Sequence, residues 1–572
     1  MARKPTKHEK IPDLEPKDIN PPTPFLSPLN RIDSKYIQDS SIRNPSVKEK
    51  SRAFFAIVGP EGSTGVDFID IQEAINAARD AGGGAILLKV GTYYPKHFIT
   101  LYDNISLIGE DPDKTTIDGT GMGLSANQAS IFAGGEEVTN SGAISTTNGS
   151  TTIGGAGTSF ISTGVKEGDT IYINAHPYSI RSIESETSLT IKEVYRGIAV
   201  SADIYAILRP KKNISLENFT LISNRSGTNN GGILFTWCEK VRCERIRVSN
   251  FSGLGFTAES SFNFTFTECE ASNCLTGFEV HDEASGDRIT NGEIINCYSW
   301  GNSSRGYMLD GVSIVRLTDS TANGNNVGIK VAGDEIVVSG CHSEFNVLYG
   351  IMIDTSIYNR VIGNNCSSNQ YGIILTGANQ DNTIVGNICE LNSNDGINVD
   401  NGEGNTITGN QCVANEDYGI ALAANATETY LSGNYLSGNT SGKVSDSGTN
   451  TVRAVRYVPI VGRTQLYLDN PADTNWSTIS VNSETSSDCF AVNLSFVIDA
   501  STAGRVAYVR KTDSGDGQNI QNSVAENSVA AIPNIASSMV EVNSTQQFDW
   551  SVNNADVSAF FIGILGYWEY IN

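Results

Sequence analysis

The sequence predicts an all-β chain organised around a right-handed parallel β-helix, with a short N-terminal capping helix, a small inserted β-barrel and a C-terminal β-sandwich. Three observations lead there. A segment Gly-Φ-x-Φ, with Φ apolar, occurs nine times between Gly232 and Gly419, at intervals of 22 to 29 residues. A second column ends in Gly-Asn and recurs at Asn364, Asn387, Asn410 and Asn434. The 572 residues include 56 Gly and 16 Pro, with 39% hydrophobic and 18% charged. That mix is lean for one large compact core and too apolar for a disordered chain.

The repeats decide the architecture. Both Φ positions are apolar in every copy, from Gly232-Ile-Leu-Phe to Gly419-Ile-Ala-Leu. This is period-2 alternation inside a period near 22. After each Gly-Asn comes a short strand holding Cys366, Cys389 or Cys412, then a turn with Asn369, Asn392 or Asn415. Each coil thus has three short strands separated by Gly/Asn turns, the pattern of a parallel β-helix. A leucine-rich repeat would show its Leu skeleton, and a propeller needs a longer period. Asn tolerates left-handed backbone, and stacked Asn side chains bond to one another.

The remaining elements follow in chain order. Residues 1–53 carry Pro21, Pro22 and Pro24 and no periodic pattern, and are expected to form an extended arm that anchors the chain to a partner. Residues 54–122 form the N-terminal cap and first coils. Asp70-Ile71-Gln72-Glu73 is a capping box, and Ile71, Ala74, Ile75 and Ala78 make one apolar helical face. Residues 123–211 alternate in short strands with tight turns, as in a small β-barrel. Residues 212–453 are the main β-helix of nine or ten coils. Residues 454–572 are expected to be a β-sandwich that trimerises or binds a receptor. Its terminal run FFIGILGYWEYI is too apolar to stand exposed as a strand edge, which implies a homotrimer.

Asp67 to Gly119 resembles the opening of the pectate-lyase-like β-helix superfamily. Residues 123–211 resemble small modules of phage tail proteins, with Gly168-Asp169 opening one strand and Ser188-Leu189-Thr190 in another.

Charge excludes other classes. Lys and Arg number 39 against 63 Asp and Glu, a formal net charge of −24, so the positive footprint of a nucleic-acid binder or a membrane-surface protein is missing. No apolar run is long enough to span a bilayer. MARKPTKHEK leads into IPDLEPKDINPPTP without an apolar h-region, so no signal peptide is expected. Release by lysis would place the protein in a virion and outside the cell. Six of the ten cysteines recur at near-regular intervals, which marks reduced thiols of a repeat interior. P-loop, GxSxG, HExxH and EF-hand patterns are absent.

Candidate chemistry lies on the strand after each Gly, whose second and fourth positions point outward. Three consecutive rungs place Glu259, then Glu279 with His281, then Asp310 there, with Lys330 on the next. The 29-residue interval adds a loop at 282–288 beside them. Stacking sets His281 about 4.8 Å from Glu259 and Asp310 at the backbone, and those two about 9.6 Å apart. Carboxylates at that separation suit an inverting glycosidase. A histidine between them can be a general base, or a general acid if the carboxylates hold it protonated. Asp282, Arg305 and Lys330 are the candidate substrate contacts. Trp237 and Trp300 are candidates for stacking on sugar rings. No cofactor is called for. Carboxylates on neighbouring rungs are the oxygen ligands Ca2+ takes, and no ligand set is assigned.

Thr276-Gly-Phe-Glu-Val-His-Asp282 followed by Asn302-Ser-Ser-Arg-Gly-Tyr-Met-Leu-Asp310 resembles the catalytic rungs of alginate C5-epimerases. The resemblance implies that Glu279 stands for the family's first Asp, His281 for its His and Asp310 for its later Asp. Thr276 stands where the family has its Tyr and Val280 where it has Pro, and Asn326-Val327 precede Gly328 where it has Arg. The whole assembly of arm, capped β-helix, inserted module and C-terminal β domain resembles a phage tailspike. That resemblance implies a bacterial surface polysaccharide as ligand, a homotrimer, and a virion tail or capsid protein as partner of the arm. Three functions stay open: a tailspike that binds and degrades the glycan, a spike that only adheres, and a free polysaccharide lyase or epimerase.

Overall fold

The computed structural model describes residues 54–572 except 139–140, 175, 225–228, 283–287, 454, 470–476, 481–488, 501–504, 512–522, 528–533, 542–546, 553–556 and 571–572. The expected arm at 1–53 and most of the expected loop at 282–288 therefore lie outside the described residues.

The repeats stack as parallel coils in register. Ile351, Ile373, Ile397 and Ile420 are successive partners on the first face. Val361, Ile384, Ile407 and Leu431 succeed one another on the second. On the third, Cys389 pairs with Cys412 and Cys412 with Leu436. One hydrophobic core runs from Ala56 to Leu436. Helix α1 (Ile71–Asp80) starts where the Asp70 carboxylate accepts the Glu73 N–H at 2.9 Å. Its Ile71, Ala74, Ile75 and Ala78 enter that same core.

The glycines of the first column differ from their expected role. They lie within or directly before the strands and make no turn: Gly277 is inside Thr276–His281 and Gly372 inside Tyr371–Thr376. What they lack is room. A Cβ on Gly372 would stand 2.5 Å from the Gly396 carbonyl oxygen and 2.9 Å from Cys389 Cβ. The coil is thin here, because the first-face glycine meets the inward residue of the third face. From Gly277 to Gly396 that residue is small: Ser299, Ala322, Ser343, Cys366, Cys389, Cys412; the coils of Gly232 and Gly419 have Val248 and Leu436. The cysteines are one way of filling a narrow place. The nine cysteines from Cys238 to Cys412 are unpaired and buried. Burial pushes the Cys341 thiol up to about 12, so these are inert thiols.

The asparagines differ too. The left-handed residue is the one before each: Gly363, Gly386, Gly409 and Gly433 have φ of 63 to 66°. The Asn behind it turns inward and forms a ladder. The Asn364 backbone N–H and side-chain amide both donate to Asn387 Oδ1 at 2.9 Å. Asn387 donates likewise to Asn410, and Asn410 to Asn434. A second ladder climbs from Asn302 through Asn325, Asn346, Asn369, Asn392 and Asn415 to Asn439. Each coil thereby satisfies buried backbone groups of its neighbour, which would otherwise carry a full desolvation penalty.

Two further parts are separate sheets. Strands between Glu136 and Arg209 form a seven-stranded antiparallel sheet with its own core, including Ile144, Phe160, Ile171, Leu189 and Ile207. After Arg453 the backbone forms two four-stranded antiparallel sheets. The apolar terminal run lies in the strand Val557–Tyr570, which pairs on one side with Val455–Asp469 and on the other with Cys489–Ala500. It is a central strand, not the open edge expected from its composition, because both rows of backbone groups are taken within the chain. No helix among the described residues is long and apolar enough to cross a membrane.

Candidate functional site

Three parallel strands build the site: Leu254–Glu259, Thr276–His281 and the start of Arg305–Thr318. Their register puts Glu259, His281 and Asp310 side by side. Behind them the inward positions stack rings. Phe256 and Phe278 are 4.7 Å apart at 4°, and Phe278 and Tyr307 are 5.1 Å apart at 11°. This aromatic column backs the strands and fixes the spacing of the side chains in front.

His281 is the centre of the cluster. Its Nδ1 lies 3.2 Å from Glu279 Oε1, two residues earlier on the same strand. That contact is close but poorly aligned for a hydrogen bond, so it acts as an ion pair. Its Nε2 lies 3.8 Å from Glu259 Oε1. Glu259 Oε2 accepts from Thr236 Oγ1 at 3.1 Å, one coil back. The Glu279 contact raises the imidazole pKa above its ordinary value. Burial opposes this, and the charges of Glu279, Glu259 and Asp310 support it. His281 is therefore held toward its protonated form, as expected of a cation between carboxylates.

A groove of about 280 Å³ opens beside it. Glu259 and His281 stand on its wall with Thr257, Leu234, Leu254 and Leu275, and amides of Asn127, Gln128 and Asn229 close its rim. Asp310 sits one coil beyond the groove. Directly after Asp310 the strand bulges: Gly311 and Ile314 both have positive φ, 61 and 59°. The register against Val327–Asp334 slips between Asp310 and Ser313. A β-branched residue in this region is strained, and bulges re-aim side chains beside sites.

The other candidates fare differently. Asp282 lies round the corner, where Ser260 Oγ donates to it at 2.5 Å. Lys330 Nζ is 2.9 Å from Asp354 Oδ2 and turns away from the cluster. Arg305 pairs in register with Thr276, five residues before the His281–Asp310 pair, so it stands about 16 Å along the strand from Asp310. Trp300 is on the third face, its Nε1 donating to Glu270 at 2.9 Å, apart from the groove. The residues missed from sequence are Thr236, Thr257, Asn127, Gln128 and Asn229. Thr236 and Thr257 occupy the same outward columns as Glu259 and Glu279, which was the available signal. The amides lie in turns that precede strands, outside any column. Among the described residues no group of three or more His, Cys, Asp or Glu is placed to hold a metal ion.

The description "Right handed beta helix region" matches residues 305–455. The chain is a right-handed parallel β-helix protein. A second description, "Periplasmic copper-binding protein (NosD)", matches residues 179–365 of this β-helix protein. No curated protein sequence matches it. Among solved structures it is similar to the A-module of a mannuronan C-5 epimerase from Azotobacter vinelandii, at 18% identity and TM-score 0.47, over 67% of this chain and 94% of that one. It is also similar to the tailspike of Pseudomonas phage phi297, at 12% identity and TM-score 0.41, over 88% and 92%. A tailspike of Acinetobacter baumannii bacteriophage AP22, in complex with A. baumannii capsular saccharide, gives 12% identity and TM-score 0.39 over 88% and 94%.

Proposed function

We propose that the protein binds a bacterial surface polysaccharide along the first face of its β-helix and hydrolyses it, serving as the tailspike of a phage. The observation that carries this reading is the placement of His281 in register between Glu259 and Asp310, with His281 and Glu259 on the wall of a groove. In this reading the groove holds the glycan so that His281 gives its proton to the glycosidic oxygen as the bond to the anomeric carbon breaks. Asp310 takes a proton from the attacking water on the far side. Water is added across the bond: one proton passes from His281 to the leaving oxygen and one from the water to Asp310. Glu259, held by Thr236, and Glu279 keep the imidazole charged and oriented. The arm at 1–53 would attach the chain to the virion, and the sheets after Arg453 would join three chains.

The test uses purified capsular polysaccharides and sizes the products. New reducing ends support the reading, whereas ultraviolet-absorbing double bonds would identify a lyase and overturn hydrolysis. His281→Ala and Asp310→Asn should each lower turnover by about 10²-fold or more. Their melting should change by no more than about 0.5 kcal/mol in stability. A glycan bound with no product formed would leave the adhesive spike. Light scattering that gives a single 61.2 kDa chain would defeat the trimer.

A further inference from the structure

The charge of the groove says which sugars it takes. We infer that the sugar unit seated against His281 carries no carboxylate, sulfate or phosphate, so that the glycan is neutral or amino-sugar-bearing where it meets the protein. This deepens the proposed function and rests on the groove being a glycan site.

Three observations support it independently of any particular reaction. First, the described residues that line the groove include no Lys or Arg. The one cationic group is His281, and it faces three carboxylates, Glu259, Glu279 and Asp310. Second, the cations that sequence spacing brought near are used elsewhere. Lys330 is bound to Asp354 at 2.9 Å with 16% of its side chain exposed. Arg305 is at the other end of its strand, its guanidinium beside Ser304 Oγ. An anionic ring at His281 would therefore lose its hydration and meet, among the described residues, only an imidazole already shared by Glu259 and Glu279, inside a chain of net charge −24. Third, the rest of the lining suits an uncharged ring. Asn127, Gln128 and Asn229 add uncharged polar residues to the lining, with Gln128 Oε1 accepting the Ser125 N–H at 2.8 Å. Leu234, Leu254 and Leu275 offer an apolar wall for the C–H face of a pyranose. A protein that must neutralise a uronate for proton abstraction needs a cation at the sugar carboxylate. Here that place holds none among the described residues.

The experiment measures binding of the full chain to a panel of purified capsular polysaccharides of known composition: neutral, amino-sugar-bearing and uronate-bearing. It compares wild type, His281→Ala, Glu279→Gln and Leu234→Arg, the last placing a cation on the groove wall. The expected result is that the tightest glycan has no anionic group on the bound unit. Its affinity should change less than about threefold between about 50 and 500 mM salt if neutral, or fall with salt if cationic. Leu234→Arg should shift relative affinity toward uronate-bearing glycans by about tenfold or more. If the tightest glycan is a uronate, sulfate or phosphate polymer and its binding is lost in His281→Ala, the groove is a glycan site and the inference about charge is wrong. If a glycan binds and neither His281→Ala nor Leu234→Arg changes its affinity, the glycan lies elsewhere, and the inference falls together with the site. Retained melting of Glu279→Gln and Leu234→Arg guards against misfolding as the cause.

Discussion

Between Gly255 and Gly306 the first inward position is aromatic, filled by Phe256, Phe278 and Tyr307. From Gly328 onward it is Ile329, Ile351, Ile373, Ile397 and Ile420. The early coils carry the groove, the charged cluster and the bulge. Two asparagine ladders, from Asn359 to Asn405 and from Asn364 to Asn434, belong to the late coils alone, while the third begins at Asn302 in the coil of Asp310. Where the late coils place Asn364, the earlier coil has Ser320, whose hydroxyl accepts from the Cys297 N–H at 3.1 Å and has no second Asn to reach. The same repeat is thus held in two ways. Late coils are tied to each other by buried amides at fixed spacing, which demands identity from coil to coil. Early coils add stacked rings on the first face, Phe256 on Phe278 and Phe278 on Tyr307, to the one ladder that reaches down to Asn302.

The strongest way to break this contrast is to remove one rung of a ladder. Asn387→Ala would strand the Asn364 N–H and side-chain amide together with the Val361 carbonyl, while Asn410 Oδ1 keeps the backbone N–H of residue 387. A loss of about 3 kcal/mol or more is expected, against about 1 kcal/mol for Ser320→Ala, as read by denaturant midpoints. Equal losses would mean that the ladder does not distinguish the regions. Gly372→Ala comes next, at about 1–3 kcal/mol, because its Cβ would press on the backbone of the next coil. Phe278→Leu should cost about 1 kcal/mol and also slow glycan turnover, since its ring backs the site strand. Ile351→Val, of similar cost, should leave turnover unchanged. The smallest effect is on pH. The folded pKa of His281 is raised, chiefly by Glu279, so its contribution to stability is complete below the unfolded value of about 6.5. It is lost as pH rises through the folded pKa. Denaturant midpoints of His281→Gln should lack this slope, while Asn387→Ala should retain it.

The stack of coils was legible because its positions repeat: Gly then two apolar residues fixed the first face, and Cys366, Cys389 and Cys412 fixed the third. Register then placed Glu259, His281 and Asp310 together by counting alone. The same count could have set Arg305 apart, since it stands on the opposite side of Gly306 from Asp310. The pairing of Lys330 with Asp354 was not legible, because a diagonal contact depends on how a long side chain turns. Nor was the groove, whose rim comes from Gln128 and Asn229, residues on either side of a long insertion. The role of glycine was misread for a physical reason: sequence shows that a side chain is missing, not whether conformation or crowding removes it.

That insertion leaves and rejoins the solenoid at one place. Gly135 N–H donates to the Thr236 carbonyl and Lys211 N–H to that of Trp237, so both ends are fastened to adjacent residues of one coil. Ala129–Gly134 stacks on Gly231–Thr236 as any two successive coils do, and Glu136 faces Arg209 across the stem of the insertion. Beyond these two points the module touches the solenoid through Tyr172, whose ring lies edge-on to Phe262 with centroids 6.4 Å apart. The module can be exchanged for another of different size, or for a short bridging turn, with the coils on both sides keeping their phase. A lineage could change what projects from this flank by recombination while the groove beside it stays intact.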